Sequence, residues 1–416
     1  MLTQEQYLAL QQRTRKIHIR LEVLNNLDQV IDALEGVAID GAISMSADST
    51  YRRTGNLTMI LDKKYNLLPS PNSRLWLDKR VAVYVGIEGF SDIQWFPLGR
   101  FALSNIQAEK TVATQTISCD LLDYMAFLDG TLGGTLESAI LIPAESVTIS
   151  QAIASSLADL PKKAIDIVEI NAQPAKVPYD IEKPAGSTTY EVIKELAELY
   201  KNYEFYFDLN GYFRFAEIKK RINDPIVWDF SATPLSLNDK AEFNLQNVKN
   251  SVWLWGKIWD TGNGSFQATW KYRNRFSRPT ALARNAIVSK EVGDICYVED
   301  SRTSFFWNGS NWQLLDFNVE PAFNIENIGE KIAVVNGDNV YTTDQAILNT
   351  KFALLGYNNL GQTVSFDTVP IYSLQPNNKI YLKSEDLDIE GEYLIKSISF
   401  PLGLGSSNIQ CEKIYY

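Results

Sequence analysis

The chain has 416 residues, room for two to four domains, and its 45% hydrophobic, 12% aromatic and 21% charged content supplies packed cores and excludes a disordered chain. A net charge of −11 excludes a surface built to grip phosphates, which needs clustered Lys and Arg, but it is compatible with an acidic wall past which DNA slides. Three scattered cysteines, Cys119, Cys296 and Cys411, lack zinc or redox spacing and are expected as buried free thiols, and no apolar run is long enough for a membrane span.

Thr3-Gln4-Glu5-Gln6 forms a capping-box pattern that opens a short helix through Tyr7, Leu8 and Leu10. This polar, helical start lacks the pattern of a signal peptide, so folding in the cytoplasm is expected. From Lys16 the texture changes to period two. Ile17, Ile19, Leu21 and Val23 alternate with His18, Arg20 and Glu22, which predicts a half-buried strand. Further strands are predicted over 42–45, 57–60, 80–86, 94–101 and 116–120. Six strands in about 110 residues suggest a small antiparallel barrel or sandwich.

The next hundred residues are mixed. Thr148-x-x-Gln151 caps a helix with Ile153, Leu157 and Leu160 on one face. Thr188-x-x-Glu191 opens another, with Ile193, Leu196, Ala197 and Tyr200 in register. Asn210-Gly211 between the aromatic runs Phe205–Phe207 and Tyr212–Phe215 predicts a hairpin, because both residues accept positive φ. Residues 221–262 return to strand texture, clearest at Val252-Trp253-Leu254-Trp255-Gly256. Gly262-Asn263-Gly264-Ser265 reads as a linker. Gly293–Asp300 and Ser304–Leu314 then form a compact aromatic meander around the turn Asn308-Gly309-Ser310-Asn311. Thr343 is expected to cap a helix with Leu348, Phe352 and Leu355 on one side. Closing strands follow, with turns at Pro376-Asn377-Asn378 and Glu390-Gly391.

No motif carries chemistry. His18, the only histidine, lies in a predicted strand with no nucleophile elbow beside it. Asp386-Leu387-Asp388-Ile389-Glu390-Gly391 imitates half of an EF-hand loop, but its twelfth position is Ser397 rather than Glu, so it reads as a solvated acidic turn. Gly130-Thr131-Leu132-Gly133-Gly134 lacks the Gly-Lys-Ser/Thr of a phosphate loop and reads as a connector. Fifty acidic residues offer many carboxylate pairs for sugar hydrolysis, yet none stands out. We expect no catalytic, cofactor or metal site. Two surface features remain. Lys271, Arg273, Arg275 and Arg278 form a basic patch interleaved with Tyr272 and Phe276, and read as a solvated loop or a grip on an acidic protein. Phe306, Trp307 and Trp312 would hold a sugar if they were exposed on one surface.

Two stretches carry a family resemblance. One is Tyr51-Arg52-Arg53-Thr54-Gly55-Asn56-Leu57 with Leu68-Pro69-Ser70-Pro71, Trp95-Phe96-Pro97-Leu98-Gly99-Arg100-Phe101 and Asp120-Leu121-Leu122-Asp123-Tyr124. The other is the closing run Lys379-Ile380-Tyr381-Leu382 with Gly391-Glu392-Tyr393-Leu394-Ile395-Lys396-Ser397-Ile398-Ser399. Over residues 16–134 and 340–416 the chain resembles baseplate hub proteins of phage tails, and the 293–315 meander is similar to modules of phage tail and fibre proteins. The resemblance implies a mainly β, α+β architecture. Residues 1–134 would be an N-terminal helix and first barrel, and 135–220 an α+β domain. Residues 221–262 with 317–416 would form a second barrel, interrupted by an inserted aromatic module at 263–316. It implies a non-enzymatic homotrimer in the virion baseplate, assembled in the host cytoplasm. Such a hub joins a sixfold tail tube or distal tail protein to a threefold spike or tip, and DNA passes without specific binding. The other readings are a receptor-binding subunit that recognises cell-wall glycan through 293–315, and a cell-wall hydrolase.

Overall fold

In a computed structural model, the structure describes all residues except 1, 13, 90–91, 159–165, 171–173, 219–223, 232–235, 261–264, 359 and 415–416. Helix α1 (Gln4–Gln11) starts at the expected capping box: Gln6 N donates to Thr3 Oγ1 at 3.2 Å and Thr3 N to Gln6 Oε1 at 3.0 Å. Seven strands follow: β1 (Ile17–Leu24), β2 (Val30–Glu35), β3 (Ala38–Ser46), β4 (Arg53–Ile60), β5 (Arg80–Glu88), β6 (Ile93–Lys110) and β7 (Gln115–Leu122). All six expected strands are present. The seventh, β2, escaped the sequence reading because its apolar residues Val30 and Ile31 are exposed and its pattern does not alternate.

The middle region contains β8 (Ile140–Ile142), α2 (Ile149–Ala158), β9 (Asp166–Ile170), β10 (Ile181–Lys183), α3 (Thr189–Glu198), β11 (Tyr203–Phe207) and β12 (Tyr212–Glu217). Both predicted caps form. Ile153, Leu157, Ile193, Leu196 and Ala197 are buried as expected, while Leu160 lies outside the described residues. They share a core with Phe207, Phe213 and Phe215 of the β11–β12 hairpin. The expected hairpin forms. Its turn runs from Asp208 to Gly211, with Asp208 accepting from Gly211 N, and of Asn210 and Gly211 only Gly211 takes positive φ, at +78°.

The rest of the chain comprises β13 (Trp228–Asp229), β14 (Ser236–Phe243), β15 (Ser251–Asp260), β16 (Ser265–Arg278), α4 (Ala281–Asn285), β17 (Asp294–Val298), β18 (Thr303–Trp307), β19 (Trp312–Leu314), α5 (Ile325–Ile328), β20 (Ile332–Gly337), α6 (Thr343–Tyr357), β21 (Gln362–Thr368), β22 (Lys379–Ser384), β23 (Ile389–Pro401) and β24 (Ser407–Lys413). The last expected turn is shifted. Glu390 and Gly391 lie inside β23, and the chain reverses over Glu385–Asp388, where Asp388 takes φ of +51°.

The strands build one large sheet from two halves. The front half reads β3-β4-β7-β6-β5-β1, with β2 outside β1, and the rear half reads β14-β21-β24-β23-β22-β13. Compared in chain order, the halves match strand for strand. One ladder differs: β1 runs antiparallel to β5, while β13 runs parallel to β22. The halves are joined because β3 pairs with the end of β23, Ala42–Ser46 against Ser397–Pro401. Two small antiparallel barrels were expected. Among the described residues the ladders connect all these strands into one sheet, with β3 giving its second edge to β23, and no ladder closes either half on itself. One apolar core spans both halves, with Phe96, Phe101, Tyr372, Tyr393 and Phe400 all buried.

Between β14 and β21 the chain makes a second sheet, β19-β18-β17-β16-β15-β20, backed by α6. Val252–Gly256, read from sequence as part of the second barrel, is β15 in this sheet and pairs with β16 and β20. The α6 N-cap is Thr342, one residue before the expected one. Its fully buried positions are Gln345, Ala346, Asn349, Thr350 and Leu354, rather than the Leu348–Phe352–Leu355 stripe. Two of the polar ones reach the α+β region, Gln345 Nε2 donating to Leu199 O at 2.9 Å and Lys201 N donating to Asn349 Oδ1 at 3.2 Å, while Thr350 Oγ1 donates to Ala346 O of its own helix.

Candidate functional site

The basic patch lies on β16, where period two turns Lys271, Arg273 and Arg275 toward one side and Tyr272 toward the core. It is a strand rather than a loop, and its charges are matched within the chain. Asp294, the first residue of β17, lies opposite Arg273 in the parallel ladder. Its side chain is 0% exposed, and its oxygens take Arg273 Nη2 at 2.6 Å and Arg275 Nη1 at 2.8 Å. Lys271 Nζ sits 2.7 Å from Glu291, which also takes Arg273 at 3.1 Å. The hydrogen bond from Lys271 holds the Glu291 carboxyl below the usual carboxylate range. Arg278 binds both oxygens of Glu326, at 2.7 and 2.9 Å, and lowers the pKa of that carboxyl as well.

The meander forms as expected, β17–β18–β19 with the four-residue turn Asn308–Asn311. Strand alternation, however, separates its three aromatic residues. Phe306 points into the core and meets Tyr272 edge to face, with ring centroids 5.6 Å apart. Trp307 and Trp312 are cross-strand partners on the other side, also 5.6 Å apart. Lys290 Nζ lies 4.4 Å above the Trp307 ring, and Trp312 packs on the small cluster of Phe276 and Ile287. All three are half-buried.

Strand β15 carries an aromatic surface that the sequence reading did not single out. Val252 and Leu254 face α6, so Trp253 and Trp255 project from the opposite face. Their rings meet at 77° with centroids 5.3 Å apart. They line a groove of about 440 Å³ with Thr269, Lys271 and Val292. The signal was present in the sequence as Trp253-Leu254-Trp255, aromatic at i and i+2 around an apolar residue. A strand buried on both faces gives the same pattern.

The groups considered for chemistry have structural surroundings. His18 is half-buried in β1, its Nε2 3.1 Å from Glu88 Oε1. Cys119, Cys296 and Cys411 are free and buried. Burial pushes the first two thiols up to about 12 and the third higher still. The turn Glu385–Asp388 is exposed, and among the described residues no three His, Cys, Asp or Glu side chains group as metal ligands. Gly130–Gly134 is a hydrogen-bonded turn, Gly130 N donating to Gly133 O at 2.8 Å.

No protein-family model matches the sequence, and no curated protein is significantly similar to it. Solved structures are similar over almost the whole chain. The tail protein from Neisseria meningitidis MC58 superposes with a TM-score of 0.57 at 12% identity, covering 95% of this chain and 96% of that one. The 43 kDa tail protein of prophage MuSo2 from Shewanella oneidensis gives 0.55 at 12% identity, covering 96% and 98%. The prophage tail protein gp18 from Listeria monocytogenes EGD-e gives 0.51 at 10% identity, covering 95% and 94%. At such identities the likeness is one of fold, and it runs end to end.

Proposed function

From the fold it shares with these phage tail proteins, we propose that the chain is a structural baseplate hub, three copies of which imitate six. One observation carries the reading: the front and rear halves of the large sheet repeat the same strand order. Within the chain, β3 of the front half pairs with the distal end of β23 in the rear half. The counterpart of β3 is β14, and the counterpart of β23 is β6. Among the described residues the outer edge of β14 has no strand partner, and the distal part of β6, beyond its ladder with β5, pairs only with β7. The same contact therefore repeats between chains, β14 of one subunit adding to the distal β6 edge of the next. Three chains close a ring of six half-sheets, which suits a junction between a sixfold tail tube and a threefold spike. Both edges carry charges of both signs, Glu109 and Lys110 on β6 and Asp239, Lys240 and Glu242 on β14, so neither repels the other as a block. The net charge of −11 suits a bore that DNA crosses without adhering.

Electron micrographs of the purified protein test this reading. Rings with threefold symmetry are expected, and particles that stay monomeric at high concentration would overturn it. Recognition of glycan through Phe306, Trp307 and Trp312 together is not favoured, because alternation directs Phe306 to the opposite face.

A further inference from the structure

The face of β15 and β20 turned away from α6 has a regular cross-strand order. One row runs Val334–Trp253–Lys271, and the next runs Asn336–Trp255–Thr269. Each tryptophan thus has a polar neighbour on the adjoining strand. Trp255 is 46% exposed and Val334 66% exposed, so the apolar floor is open to solvent. Trp253 is held in place because its Nε1 donates to Ser251 Oγ at 2.7 Å. The cations of the rim are matched: Lys271 and Arg273 are both paired with Glu291, and Arg273 with Asp294. The groove therefore offers no uncompensated charge to an anionic or cationic ligand.

We propose that this groove binds a neutral pyranose oligosaccharide. Each indole face carries the negative pole of its quadrupole, and because the rings meet at 77° a flat pyranose stacks on one of them at a time, its axial C–H bonds presenting a weakly positive face. Thr269 and Lys271, which line the groove, supply a hydroxyl and an ammonium to ring hydroxyls, and Asn336 lies beside Trp255 on the adjoining strand. A volume of about 440 Å³ is in the range of small-ligand pockets and takes one to two sugar rings. The site is independent of the hub reading, since it lies outside the large sheet.

Calorimetric titration of the full chain with tri- to pentasaccharides of neutral hexoses and N-acetylhexosamines tests the proposal. Saturable binding to at least one is expected. Trp255→Ala should weaken it at least tenfold and Trp253→Ala by a comparable factor, while Leu77→Ala, an exposed apolar truncation elsewhere, should leave it unchanged. Circular dichroism of each variant shows that the sheet persists. Absence of binding to every sugar overturns the proposal. So does binding that survives Trp255→Ala in a folded variant, or a loss that follows Trp312→Ala instead, which would move the site to the other end of the sheet.

Discussion

Asp294 shows how one carboxylate sets the charge of a whole surface. With its side chain out of water, it answers two guanidiniums and also accepts from Glu291 N at 2.8 Å. Removing Asp294 takes from Arg275 the carboxylate that pairs it and leaves Arg273 with Glu291 alone, and breaking such a buried pair costs about 3–5 kcal/mol. We expect Asp294→Ala to lower the stability of the six-stranded sheet by that amount. Denaturant titration read by tryptophan emission is well suited to the measurement, because Trp253, Trp255, Trp259, Trp270, Trp307 and Trp312, of nine tryptophans in all, lie in this sheet. A change below about 1 kcal/mol, typical of exposed pairs, would mean that solvent already screens these charges. The basic residues were legible in the sequence. Their neutralisation was not, since Asp294 meets Arg273 only through a parallel ladder across a connection of some twenty residues.

At the scale of elements, the β11–β12 hairpin ties local turn chemistry to long-range packing. Gly211 takes φ of +78°, and a Cβ there would lie 2.6 Å from the ring of Tyr124. That ring is buried, and its hydroxyl donates to Asp28 Oδ1 at 2.6 Å, so it has little freedom to move. Gly186, at φ of +88° with nothing near its would-be Cβ, serves as the control. Gly186→Ala should cost about 1–2 kcal/mol for the left-handed backbone alone. Gly211→Ala should cost clearly more, and thermal unfolding of the two variants measures the difference. Equal losses would show that Tyr124 yields at no cost. The Asn-Gly pair announced this hairpin, but the second reason for glycine lies 87 positions away in the chain. Helix α6 makes the same point. Its cap was legible to within one residue, while Gln345 and Asn349 on its buried face answer backbone groups of the α+β region.

At the scale of the whole molecule, the repeated half-sheet matters most. If β14 of a neighbouring copy adds to the distal β6 edge, a missing N–H on that edge interrupts the ladder. Of two adjacent strand residues, one N–H faces β7 and the other faces the open side. Gln107→Pro and Ala108→Pro, made separately, should therefore differ. One is expected to abolish the ring while circular dichroism stays native, and sedimentation velocity reports the oligomer. If both variants remain fully assembled, this edge is not the contact between subunits.

The sequence by itself determined six of the first seven strands, the capped helices, the aromatic meander and the mainly β class, because period-two alternation, capping boxes and turn residues act within a few positions. It also carried the resemblance to tail hubs, through short motifs on those same strands. Tertiary structure decided the rest. Both sheets join strands far apart in sequence: β3 finds β23 across some 350 residues, and β15 pairs with β20 as well as with its neighbour β16. Alternation tells which residues share a face of one strand, but only the ladder between distant strands tells which strand comes next, whether the sheet closes, and which tryptophans remain in water.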